Sequence, residues 1–174
     1  MLAVIALLVR PVAAEAALPP SLVAAITALD SAAVPVERVD LDRGSCRLRS
    51  AHPALVIADF NGDGHTDYAM YLRSKRDQPG DHVALQYTIR FVVFLGDAAG
   101  GFTPRVVREW ASALPLHDRL EVQPPGRIRE VDGGTDRVVS LRYPGIVEIA
   151  CGRAASTYFW VPRSQGFEYI VTGD

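Results

Sequence analysis

The stretch that most restricts what this chain can fold into is a nonapeptide, Asp59-Phe60-Asn61-Gly62-Asp63-Gly64-His65-Thr66-Asp67, lying between apolar runs at 55–60 and 68–72. Oxygen-bearing side chains occupy its positions 1, 3, 5 and 9, and Gly follows position 5. Alternate residues of a tightly curved loop point to one centre, so Asp59, Asn61 and Asp63 converge. Gly64 permits the sharp reversal that a Cβ would resist. The backbone carbonyl of His65 then faces inward, its ring faces solvent, and Asp67 closes the shell. Such an all-oxygen set suits a hard cation, and Ca²⁺ tolerates the irregular geometry of a peptide loop. Carboxylates about 4–5 Å apart repel by roughly 3–4 kcal/mol per pair at an effective dielectric near 20. Their convergence therefore calls for a counter-ion, and Ca²⁺ is the expected cofactor.

An EF-hand is excluded, because position 12 of that loop needs a bidentate Glu and is Met70 here. The flanking runs also read as strands and not helices. A metal-free Asn-Gly-Asp-Gly hairpin is the plain alternative, since such dipeptides turn a chain unaided. It has no need of Asp at both ends.

Elsewhere the hydrophobic period decides the class. Ser21 is a candidate N-cap for a short helix with Leu22, Ile26 and Leu29 on one face. From 84 to 96 the pattern is a strand: Leu85, Tyr87, Ile89 and Phe91 alternate with polar residues before Val92-Val93-Phe94-Leu95 turns fully apolar. Alternation implies one buried face, and the apolar end implies two. Further strands are expected at 104–110, 119–123, 137–143, 146–151, 157–161 and 167–172. Pro124-Pro125-Gly126, Asp132-Gly133-Gly134 and Pro144-Gly145 serve as turns between them. The expected fold is α+β and mainly β: an antiparallel sheet, a short N-terminal helix packed on it, and one strand-loop-strand calcium site.

The first sixteen residues read as an export signal. Residues 2–9 form an eight-residue apolar run, followed by small residues that allow cleavage after Ala14 or Ala16. No Lys or Arg precedes the run, so either the α-amino group supplies the positive charge or the true start lies upstream. Residues 17–174 then form a single domain, periplasmic or secreted, with no stable membrane span, since a bilayer takes about 20 apolar residues. Two cysteines in such a chain, Cys46 and Cys151, point to one disulfide. It would close a loop of roughly 100 residues, worth about 4–5 kcal/mol in the chain-entropy account. Two buried thiols that never meet are the alternative.

Residues 59–72, together with Phe91-Val92-Val93-Phe94-Leu95-Gly96 and the Gly100-Gly101-Phe102 turn, resemble one VCBS or FG-GAP repeat. The calcium loops of integrin α-subunit propellers are similar. The resemblance implies calcium ligation by Asp59, Asn61, Asp63 and Asp67, with the His65 carbonyl as a further ligand. It covers about a quarter of the chain, and an insertion at 73–90 separates its halves. A propeller buries its blades against one another, so adhesion by a multi-blade propeller does not carry over from a single repeat.

Charge excludes other classes. A formal net charge of -2 gives no footprint for nucleic acid, and the scattered Arg residues read as solvated strand faces. His52, His65, His82 and His117 lack zinc-ligand spacing. Sequence cannot show any two of Glu109, Glu121, Glu130, Glu148 and Glu168 facing each other, so no catalytic residue is assigned. Tyr158, Phe159, Trp160, Phe167 and Tyr169 read as a core hairpin with one face partly exposed. The leading expectation is a calcium-stabilised, non-enzymatic interaction module, such as an inhibitor or immunity-like partner of another exported protein. The alternative is an envelope hydrolase using the metal or nearby carboxylates.

Overall fold

Alternation that gives way to an unbroken apolar run demands a strand covered on two sides, and β4 (Tyr87–Gly96) is placed so. The computed structural model describes residues 17–41, 52–76, 86–131 and 137–173. Among them, β1 (Val34–Pro35), β3 (Asp67–Lys75), β4 and β5 (Phe102–Ser112) lie in that order in an antiparallel sheet. β2 (Leu55–Ala58) also pairs with β3, making five strands in all. A second antiparallel sheet runs β11 (Gly166–Gly173), β10 (Ala154–Val161), β9 (Gly145–Ala150) and β6 (Asp118–Gln123). The hairpin β7 (Gly126–Arg129) and β8 (Val138–Leu141) stands apart.

Side-chain alternation turns these sheets into layers. Ile89, Phe91, Val93 and Tyr71 share one cluster with Leu120, Ile146 and Tyr158, which fills the space between the two sheets. The alternate residues Val92, Phe94, Met70 and Leu72 pack instead with Leu22 and Ile26 of helix α1 (Pro20–Leu29). On the far side of the second sheet, Phe159 and Ile170 pack with Leu141 and Ile128 of the hairpin. The order is helix, sheet, sheet, hairpin.

Ser21 is not the N-cap: the helix starts at Pro20, Pro19 caps it without a side-chain bond, and Pro in the first turn needs no donor. One sheet becomes two, because nothing in a strand's period says which sheet it joins, and Gly126 opens β7 where a turn was expected. Nor are the arginines merely solvated. Arg90 donates to Asp30 just past the helix at 2.6 Å and also pairs with Glu109, while Arg73 donates to Asp40 at 2.9 Å. The ends of the 73–90 insertion lengthen β3 and β4; the export segment 1–16 and the Asp132-Gly133-Gly134 turn lie outside the described residues.

Phe91 is fully buried, its ring centroid 5.6 Å from that of Tyr71 in the same sheet and 5.1 Å from that of Tyr158 in the facing sheet. Phe91→Ala is expected to cost about 3–5 kcal/mol in urea unfolding. A loss below about 1 kcal/mol would show that the inter-sheet space is not the principal core.

Candidate functional site

The nonapeptide joins β2 to β3 as the expected strand-loop-strand, and its acids first of all satisfy the loop's own backbone. Asp59 accepts hydrogen bonds from the N–H groups of Gly62 at 2.7 Å, Asp63 at 3.2 Å and Gly64 at 2.9 Å. Asp63 accepts from the His65 N–H at 2.8 Å, and the Asn61 amide donates to it at 2.8 Å. Gly62 (φ 77°) and Gly64 (φ 87°) take the left-handed turns that other residues resist. Burial pushes the Asp63 carboxyl up, but the Asn61 amide and the His65 N–H outweigh it and hold it below the usual value.

Asp67 does different work. It is fully buried, and its two oxygens accept from the Phe60 N–H at 2.8 Å and the Gly96 N–H at 2.9 Å, tying the loop to the end of β4. A Cβ on Gly96 would stand 2.4 Å from the Thr66 carbonyl, so that approach needs glycine. Burial dominates the electrostatics: the Asp67 carboxyl is raised to about 6, with Asp63 adding to the rise and the two N–H donors opposing it. The donor set is all oxygen and fits a hard cation in chemistry. Among the described residues, no three His, Cys, Asp or Glu side chains are gathered as a metal cluster. Asp59 and Asn61 are half-buried, Asp63 is exposed and Asp67 is buried.

A second constellation lies between the sheets. Glu148 of β9 is 4% exposed and accepts from the hydroxyls of Tyr71 (3.0 Å) and Tyr158 (2.8 Å) and from the Arg108 guanidinium (3.0 Å). Burial and the neighbouring Glu148 charge raise both tyrosine hydroxyls, keeping them protonated donors. Arg108 lies 4.1 Å over the Trp110 ring. Beside this cluster opens a cavity of about 600 Å³, walled by Arg108, Trp110 and Ser112 from the first sheet and Asp118, Glu148 and Ser156 from the second. Burial, then the Glu148 charge, raises the Asp118 carboxyl.

Set against protein-family models, curated proteins and solved structures, the chain matches none. Cys151 is buried and does not stand as a free thiol. Cys46 and His82 lie outside the described residues. The inter-sheet cluster escaped the sequence reading. Glu148 carried a usable signal, being the only charge in an otherwise apolar strand and sharing its face with Ile146. Arg108 carried none, because a bulge opposite Phe91 and Val92 leaves Val107 unpaired and resets which side Arg108 takes.

A Cβ on Gly62 would fall 1.9 Å from the Tyr143 ring, whereas Gly64 faces open space. Gly64→Ala is therefore expected to cost about 1 kcal/mol from backbone strain alone, and Gly62→Ala distinctly more, in parallel denaturation curves. In metal-free protein, the raised Asp67 value favours proton uptake by the folded state. Its contribution is present below the ordinary carboxylate range and is lost as pH rises through about 6. Stability in EDTA should thus fall between about pH 4 and 6 by roughly 2–3 kcal/mol, a slope that Asp67→Asn removes.

Proposed function

We propose that the chain is a calcium-fastened, non-enzymatic interaction module of the single-repeat VCBS or FG-GAP kind, acting in the periplasm or outside the cell. The observation that carries this reading is the loop's donor set: two acids and one amide, Asp59, Asp63 and Asn61, closing over the buried Asp67 carboxyl that burial has pushed to about 6. A cation held by Asp59, Asn61, Asp63 and Asp67, with the His65 carbonyl, would supply the missing charge and lock β2, β3 and β4 together. The elements of the resemblance also meet in space. Gly96 bonds Asp67, and Phe102 packs edge-on against Tyr68 with centroids 5.5 Å apart.

Export accords with a cysteine that is not free, and a Cys46–Cys151 bridge belongs to the same proposal. The binding role, as an inhibitor or immunity-like partner of another exported protein, is supported by the aromatic hairpin. Tyr158 and Phe159 point to opposite faces and are both buried, yet Tyr169 on the edge strand β11 is 59% exposed. Among the described residues, no helix is long and apolar enough to cross a membrane. A hydrolase built on the metal has less support, since no loop residue lines the inter-sheet cavity.

Thermal and chemical unfolding in calcium against EDTA tests the proposal. At ten times the dissociation constant, Ca²⁺ should add about 1.4 kcal/mol, and Asp63→Ala should abolish the gain. Equal stability with and without calcium, in wild type and variant alike, would reduce the loop to a turn.

A further inference from the structure

We propose that the cavity between the sheets binds a small zwitterion of the α-amino acid class, with Arg108 taking its carboxylate and Asp118 its ammonium group. The site lies apart from the calcium loop, and its cause is visible in the strand registers. Directly paired residues share a face of a sheet, and Asp118, Ala150 and Ala154 form one such row across β6, β9 and β10. The next row is Leu120, Glu148 and Ser156. Opposite, Trp110 pairs with Ile89 and Ser112 with Tyr87 on the inward face of the first sheet. Where the middle of the sandwich is filled by Phe91, Ile146 and Tyr158, this end carries alanines and serines. The inter-sheet space is left open as a cavity of about 600 Å³, within the range of small-molecule sites.

Of the charged groups that line the cavity, Arg153 and Glu148 included, Arg108 and Asp118 have capacity to spare. Arg108 is fixed by stacking on Trp110, by a bond from Nη1 to Glu148 and by the adjacent Tyr158 hydroxyl. Among the described residues no other carboxylate pairs with it, and its side chain stays 45% exposed. A guanidinium held flat and half open presents its remaining N–H groups as a fork, the geometry that recognises carboxylates. Asp118 is the reciprocal case. Among the described residues no hydrogen bond reaches its carboxylate, although it is partly buried and feels the Glu148 charge against the opposing charges of Arg108, His117 and Arg153. Glu148 cannot share the task, since its oxygens already accept three donors. One unsaturated donor fork and one unsaturated acceptor, in a cavity where Arg108 and Asp118 are close enough to act on each other electrostatically, complement a ligand carrying both charges. Leu116 and Ala154 leave an apolar corner for a side chain.

The test is a thermal-shift screen of the whole protein against each of the twenty L-amino acids. Any that stabilises is followed by titration calorimetry beside its decarboxylated amine, its deaminated acid and glucose. At least one amino acid should bind, and removing either charge should weaken binding about tenfold or more, the loss of roughly 1.4 kcal/mol. Asp118→Asn should abolish the response. Ala154→Leu, which keeps both charged groups and fills the space, should do the same. Because Arg108→Gln would strand the buried Glu148, Arg108→Lys replaces it and should weaken binding by disrupting the fork. No shift from any amino acid, equal binding of the amine or the acid alone, preference for glucose, or binding that survives both Asp118→Asn and Ala154→Leu would each overturn the proposal.

Discussion

A carboxylate closed between two sheets governs much of this architecture. Burying Glu148 would cost several kcal/mol if it were left alone, and the fold meets that cost with Tyr71 and Arg108 from one sheet and Tyr158 from the other. Each donor must stand at a particular place for the charge to be tolerated, so Glu148 restricts how the sheets can slide on each other. The same bonds hold Arg108 against Trp110 and leave a polar wall where apolar packing stops. The cavity and the cluster that borders it therefore share one cause.

A second buried acid does comparable work at the nonapeptide loop. Asp67 reaches backbone N–H groups of the loop and of β4 together, so it holds the loop on the sheet whether or not a cation is present. The half-buried Asp59 and the exposed Asp63 meanwhile fold the loop by capping its N–H groups. A cation would thus join a loop that is already shaped, and shape and ion binding are separable properties.

The strand that read clearly in sequence was the one whose burial shows in its own residue pattern. The apolar run of β4 announced burial on both faces, and the structure supplies a helix for one and a second sheet for the other. The face of α1 was legible through Leu22 and Ile26, whereas its cap was not, because Pro19 and Ser21 are both plausible starts and only backbone geometry separates them. Opposite facing of Tyr158 and Phe159 followed from period two alone. That Tyr169 stays exposed depended on β11 being an edge strand, which no local pattern encodes.

The strand-rich class, the helix and the nonapeptide turn were written in the chain alone, since they rest on local periods, glycine freedom and side-chain chemistry within a few residues. Only the tertiary structure decided that there are two sheets, that Asp67 is wholly buried, and that Arg108, Asp118 and Glu148 border one cavity. Those residues lie up to 40 positions apart, and a one-residue bulge in β5 is enough to send Arg108 to either face. Long-range register is set by the packing of whole sheets, and that is a property no short stretch of chain possesses.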